Sequence, residues 1–203
     1  MLLEINPQTP EPRRIRRAVD ALESGQVIAY PTDTVYGLGC DVMNKKAVDR
    51  LYEIKGMERS QMLAFVCRDL SEVARYAVVH DAVYRTLRKF LPGPYCFILE
   101  ATRDVPRIVQ SSRRTVGVRI PKHPVAIALV TELGRPIISS TAARHGELPN
   151  PDPREIDDNF RGLSLVVDAG PGGLEPTTVV DLTGPRPKVI RAGAGDPTPF
   201  EQP

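Results

Sequence analysis

The sequence predicts one α/β domain built on a mixed β-sheet. Three observations carry that expectation. Short apolar runs of strand length, bounded by Gly or Pro, recur along the chain. Segments with apolar residues at helical spacing lie between them. The two kinds follow one another without strict alternation, which argues against a doubly wound parallel sheet. With 203 residues and neither an internal repeat nor a composition shift, the chain reads as a single unit.

The elements follow in order. Arg13–Ser24 reads as a helix, with Ile15, Ala18, Val19 and Leu22 on one face, Pro12 in the first turn and Gly25 past the end. Val27–Tyr30 reads as a buried strand stopped by Pro31. Asn44 caps a second helix running to Lys55, with Ala47, Val48, Leu51 and Tyr52 inward. Met62–Cys67 is a strand. Ser71–Tyr76 and Asp81–Leu91 are helical, and Pro92-Gly93-Pro94 breaks the chain sharply. Cys96–Ala101 and Thr115–Ile120 are strands, Pro124–Leu133 a helix ended by Gly134, and Pro136–Ser140 a strand. Arg144–Pro153 is polar and proline-bearing, and so a loop. Leu163–Asp168, Thr178–Leu182 and Lys188–Arg191 are short strands. The chain from Gly193 onward is expected to be unstructured.

Composition narrows the class. Hydrophobic residues make up 41% and charged residues 26%, which excludes disordered, collagen-like and coiled-coil chains. No apolar run reaches the length of a membrane span, and Met1–Pro7 lacks the pattern of a signal peptide. Lys+Arg at 27 against Asp+Glu at 25 gives a net charge of +2, too balanced for nucleic-acid binding by bulk charge alone. Cys40, Cys67 and Cys96 are odd in number and widely spaced, with no C-x-x-C pair, which fits a reducing, cytoplasmic setting. Cys67 and Cys96 sit in apolar runs and read as small core residues. Neither the cysteines nor His80, His123 and His145 show metal-ligand spacing, so no metal site is expected.

Four segments could carry chemistry. Tyr30-Pro31-Thr32-Asp33-Thr34-Val35-Tyr36-Gly37-Leu38-Gly39 follows a strand and packs hydroxyls into one turn. It is either a turn whose Asp and Thr satisfy local backbone groups or a polar cradle for a ligand. Lys55-Gly56-Met57-Glu58-Arg59-Ser60 is either a helix C-terminal cap or a pair of cations for a polyphosphate; it lacks the spaced glycines of a Walker A loop. In Thr115–Pro124, Arg119 interrupts an apolar strand, on the face opposite Val116, Val118 and Ile120. It is either solvated or turned into a site. In Pro176–Asp181 followed by Ile190-Arg191-Ala192-Gly193, hydroxyls precede one strand and an arginine ends the next.

Taken together and in this order, the segments resemble the YrdC/YciO family, which includes L-threonylcarbamoyladenylate synthases. The matching pieces are Tyr30–Leu38, Lys55-Gly56, Pro92-Gly93-Pro94, Val118–Pro121 with His123-Pro124, Pro176–Asp181, and Ile190-Arg191 with Gly193. They span a domain over residues 10–196, leaving 197–203 as a flexible tail. The resemblance implies a twisted mixed sheet with flanking helices around a basic concave surface. It implies a nucleotidyltransferase that takes L-threonine, bicarbonate and ATP with Mg2+, makes threonylcarbamoyl-AMP and releases pyrophosphate, for tRNA modification. Double-stranded RNA binding also belongs to the family's properties, so RNA or tRNA is a candidate partner. By the same resemblance Thr32, Thr34, Tyr36, Cys96 and Arg119 line the threonine pocket. Lys55, Arg59 and Arg119 act on the reacting anions, and Thr141, Thr177 and Arg191 surround the nucleotide.

Three positions depart from the synthase pattern. The arginine of Lys-x-Arg is Met57, with Arg59 the nearest guanidinium; the asparagine of Ser-x-Asn is Ala143 in Thr141-Ala142-Ala143; and the Thr after Pro-Gly-Pro-x is Cys96. These departures resemble the YciO branch. One reading is therefore a synthase of reduced power. A second is an RNA- or nucleotide-binding protein that kept the fold, motivated also by Arg13, Arg14, Arg16, Arg17, Arg113 and Arg114. The bland reading of Arg13–Arg17 is the solvated face of a helix. A third is a ligand-binding regulatory domain.

Overall fold

Alternation along the strands decides this architecture, because one set of side chains builds a core and the other set builds a second core and a cavity. The computed structural model describes residues 1–58, 61–144 and 146–201. Among the described residues ten strands form one mixed sheet: β1 (Leu2–Glu4), β2 (Ile28–Tyr30), β3 (Gly37–Asp41), β4 (Ala64–Val66), β5 (Tyr95–Glu100), β6 (Thr115–Arg119), β7 (Ile137–Thr141), β8 (Leu165–Asp168), β9 (Thr178–Asp181) and β10 (Lys188–Arg191). Their order is β1-β8-β2-β3-β7-β4-β6-β5-β9-β10. The helices are α1 (Pro12–Glu23), α2 (Lys45–Lys55), α3 (Leu70–Tyr76), α4 (Asp81–Phe90), α5 (Pro124–Leu133) and α6 (Pro153–Asn159).

On one face, Leu38, Phe65, Phe97, Val116, Val118, Ile120, Ile138 and Val180 join α2, α3 and α4 in the larger core. On the other face, Ile28, Tyr30, Val66, Ile137, Leu165 and Val167 meet Ile15, Ala18, Val19 and Leu22 of α1 and Val125, Ala126, Leu129, Val130 and Leu133 of α5. Each fully buried Leu or Ile there contributes about 1.5–3 kcal/mol. α1 and α5 seal only part of that second face. Over β4, β6, β5 and β9 the face stays open, and the cavity described below occupies it.

Local signals account for the ends of several elements. Asn44 caps α2, its side chain accepting from Ala47 N–H at 3.1 Å, as expected. Gly56 ends α2 in the left-handed conformation, φ +64°, which glycine adopts without strain.

Four expectations change. The Tyr30–Gly39 segment is not a turn throughout: its end begins β3, which pairs antiparallel with β2 and β7. Glycines hide this strand, and they are there because Tyr30 lies across them. A Cβ at Gly39 would sit 2.5 Å from Ile137 Cγ2 and 2.8 Å from the Tyr30 ring. The sheet also begins before residue 10, since β1 pairs parallel with β8. The Arg144–Pro153 stretch is not loop to its end: Pro153 already begins α6, which Asp152 caps, accepting from Arg154 N–H at 2.8 Å. Finally, the segment from Gly193 is held in place. Gly193 N–H donates to Thr178 Oγ1 at 3.0 Å, and Thr198–Phe200 forms a 3-10 turn. Phe200 is buried against Phe90, Tyr95 and Phe97, with ring centroids 4.7, 5.9 and 5.8 Å away. An apolar ring this large stabilises the packed tail over a free one.

Candidate functional site

The open part of the second face forms a cavity of about 270 Å³. Alternate strand residues line it: Gly37, Ser139 and Thr141 of β3 and β7, Ala64 and Val66 of β4, Gly117 and Arg119 of β6, Cys96 and Ile98 of β5, Val179 of β9 and Arg191 of β10. Tyr36 and Thr177 close its ends. Gly117 keeps the floor low, since a Cβ there would lie 3.2 Å from Cys96 Sγ. Two guanidinium groups and several hydroxyls thus enter a cleft whose walls are mostly apolar.

Arg119 is not solvated. One of its terminal nitrogens, Nη2, donates to Thr32 Oγ1 at 3.0 Å, Asp33 Oδ1 at 2.6 Å and Thr34 Oγ1 at 2.8 Å. Two hydrogens serve three acceptors, so they are shared. Arg119 and Asp33 are each 11% exposed at the side chain, a nearly buried ion pair. Thr32 in turn donates to Val35 O at 2.6 Å and accepts from Thr34 N–H at 3.2 Å. The Thr32-Asp33-Thr34 turn is therefore a locally bonded turn, and its polar groups cradle Arg119 instead of a ligand. Thr32 and Thr34 stand behind Arg119 instead of lining the cavity. Arg119 Nη1 and Nε make no hydrogen bond among the described residues.

Tyr36 contributes its ring. Its hydroxyl is spent on the loop after β8, donating to Gly170 O at 2.7 Å and accepting from Ala169 N–H at 3.2 Å. Burial pushes this phenol up to about 12, so it stays protonated. Cys96 lies on the cavity face and not in the main core, where Cys67 sits. Burial raises its thiol to about 11, against the pull of Arg119 and Arg191. Arg191, at the rim, donates through Nη2 to Thr177 O at 2.8 Å and to Thr177 Oγ1 at 3.0 Å.

Lys55 occupies a neighbouring corner. It is buried, and its Nζ donates to the main-chain oxygen of Thr141 at 2.6 Å and to that of Ala143. Burial lowers it from the ordinary 10.5 to about 8, with Glu147 acting in the opposite direction. Met57 packs against the core, and Ser140 Oγ–H donates to its sulfur at 3.5 Å. Arg59 and Ser60 lie outside the described residues. The cavity thus brings together Tyr36, Cys96, Arg119, Thr141, Thr177 and Arg191, while Thr32, Thr34 and Lys55 support it from behind.

The family is decided by comparison with known proteins. A family model, Sua5_yciO_yrdC, described as "Telomere recombination", matches residues 20–193. The chain belongs to the Sua5/YciO/YrdC family. "Uncharacterized protein YciO" of Escherichia coli (strain K12) is 40% identical over 199 residues, covering 97% of both chains, and the crystal structure of E. coli YciO superimposes with a TM-score of 0.95 over 98% of both. A "Threonylcarbamoyl-AMP synthase" of Halorhodospira halophila is 36% identical over 178 residues, covering 86% of this chain and 93% of the relative. P. abyssi Sua5, solved in complex with L-threonine, superimposes with a TM-score of 0.89 at 28% identity, over 95% of this chain and 57% of that one.

Residues of the site that sequence reasoning left out are Asp33, Gly117, Ser139 and Ser140. Alternation could have found Gly117, two positions before Arg119 on the same strand face. Asp33 stood inside the singled-out motif, but nothing local says that its partner is 86 positions away. Among the described residues no three His, Cys, Asp or Glu side chains converge as a metal site, and no helix is long and apolar enough to cross a membrane.

Proposed function

We propose that the chain is a threonylcarbamoyl-AMP synthase-type nucleotidyltransferase, acting on L-threonine, bicarbonate and ATP. The observation that carries this reading is Arg119: a nearly buried guanidinium, fixed by Thr32, Asp33 and Thr34, with one terminal nitrogen free beside a cavity of amino-acid size. A carboxylate is the natural partner of such a donor. The complex of P. abyssi Sua5 with L-threonine and the synthase relatives support the same substrate.

The chemistry needs no covalent nucleophile. The threonine amine and bicarbonate give a carbamate and water; a carbamate oxygen then attacks the α-phosphorus of ATP, and the bond to the β-phosphate breaks to release pyrophosphate. The protein must hold two anions together and offset their repulsion. In this reading Arg119 takes the carboxylate end, Arg191 and Thr177 take the nucleotide, and Lys55, bonded to Thr141 O behind the cavity wall, adds positive charge to that side. Magnesium would arrive on the triphosphate. Among the described residues the cavity lining holds no carboxylate, so phosphate oxygens and water would ligate the ion, which would supply charge neutralisation there.

The test is pyrophosphate release and adenylate formation by the purified chain given threonine, bicarbonate and ATP. Turnover above that of Lys55→Ala and Arg119→Ala variants is expected; turnover equal to theirs sinks the reading. A second reading, a nucleotide- or RNA-binding protein with little synthase chemistry, is favoured by Lys55 being tied to two carbonyls and by the thioether at Met57. Two of the α1 arginines give it no support. Arg16 is ion-paired with Asp20, Glu23 and Glu132, and Arg14 lies 3.8 Å from Glu11.

A further inference from the structure

Three buried polar side-chain atoms lack a hydrogen-bond partner among the described residues: Asp33 Oδ2, Arg119 Nε and His123 Nδ1. Arg119 ends β6 and His123 stands four residues further on, at the start of α5, so the chain path keeps the two close. Asp33 and Arg119 are joined through Oδ1 and Nη2. Both act electrically on His123, whose pKa burial lowers, Asp33 raises and Arg119 lowers again. The atoms also complement one another: Nε–H only donates, Oδ2 only accepts, and imidazole Nδ1 does either according to its tautomer.

The chain path adds a second observation. His123 is the N-cap residue of α5, a place where Ser, Thr, Asp or Asn would cap the helix with a side-chain oxygen. Its main-chain oxygen accepts from Ile127 N–H at 3.1 Å, but its side chain makes no capping bond. The helix forgoes a cap, and the imidazole is left to serve the neighbouring ion pair.

We propose that His123 is a positioning residue for Arg119. The two atoms make no direct bond, and one buried water between them would let His123 Nδ1–H hold Asp33 Oδ2, fixing the carboxylate so that Oδ1 meets Arg119 Nη2. A neutral ring carries one proton, and the carboxylate selects the tautomer that places it on Nδ1. A carboxylate oxygen left buried without a donor costs more than the bond itself contributes, which is why an imidazole suits this position. The functional half of the inference rests on the reading of the cavity as a threonine-carboxylate site.

Two measurements on the full chain test it. In the first, the imidazole nitrogens are observed by NMR in the wild type and in Asp33→Asn. A protonated Nδ1 whose signal moves in Asp33→Asn is expected; a ring protonated on Nε2, or a signal indifferent to Asp33, overturns the contact. This arm stands whether or not the protein binds threonine. In the second, L-threonine affinity is measured calorimetrically for His123→Ala and His123→Asn, each checked for folding by its melting curve. His123→Ala is expected to weaken binding about tenfold, the worth of one hydrogen bond to a charged group. His123→Asn, whose amide N–H can stand where Nδ1–H stood, is expected to restore affinity to within about threefold of wild type. In the Asp33→Asn background, His123→Ala is expected to add nothing further. Equal losses for Ala and Asn, or full additivity with Asp33→Asn, overturn the positioning role. A wild-type protein that binds no threonine overturns the proposed function instead, and the NMR result then decides the His123–Asp33 contact alone.

Discussion

The two cations of the site are held in opposite ways. Arg119 is gripped by side chains: a carboxylate balances its charge, two hydroxyls fix its plane, and one terminal nitrogen is left over. Lys55 is gripped by main-chain carbonyls, which hydrogen-bond its ammonium without cancelling its charge. The first arrangement fixes a guanidinium in place. The second leaves an ammonium whose pKa burial lowers to about 8. On the proposed function the first corner chooses the ligand and the second meets its charge.

The sharpest way to break this contrast is Arg119→Ala. Removing one partner of a nearly buried pair leaves Asp33 uncompensated, and a loss of about 3–5 kcal/mol in denaturant unfolding is expected, together with loss of threonine binding. A loss below about 1 kcal/mol would mean that the pair behaves like a surface one. Next comes the Lys55 corner. Met57→Arg restores the guanidinium of the synthase pattern beside Lys55, and pyrophosphate release is expected to rise at least tenfold, as a phosphate-facing donor contributes a few kcal/mol to such a transition state. An unchanged rate would place the deficit elsewhere.

The pH dependence of Lys55 is a smaller effect with a definite sign. Its folded pKa is lowered from 10.5 to about 8, so between those values the unfolded lysine holds a proton that the folded one has released. Stability therefore rises with pH across that window, and the burial cost is fully present below about 8. Lys55→Met, compared with wild type by unfolding free energy at several pH values, is expected to remove that slope. The smallest effect is expected from Tyr36→Phe. Its hydroxyl serves the loop at Ala169–Gly170 and not the cavity. The change should cost about 1 kcal/mol of stability and leave threonine affinity unaltered, so a loss of affinity would return that hydroxyl to the binding site.

Much of this was legible in the residues. The helical spacing of Ile15, Ala18, Val19 and Leu22 named the buried face of α1, and alternation placed Arg119 opposite Val118. β3 was not legible, because Gly37 and Gly39 leave only Leu38 and Cys40 to signal a strand. Phe200 was not legible either: a lone aromatic among Pro, Gly and Asp gives no periodicity, and its partners lie about a hundred positions back. In the site, residue types were readable and their attachments were not. Lys55 reaches carbonyls 86 and 88 positions away, and Tyr36 an oxygen 134 positions away, meetings that only the completed sheet creates.

The division of the sheet into a sealed and an open part has a consequence for how such a protein can change over time. β4, β5 and β6 each offer alternate residues to the cavity and the ones between to a core, so the two sets of positions answer to different pressures. Phe65, Val118 and Phe97 face the core while Ala64, Gly117 and Cys96 face the cavity. The chemistry of the cleft can be exchanged at a position such as Cys96 without renegotiating how the core packs. Descendants of one scaffold can therefore drift apart in what they do long before they differ in shape.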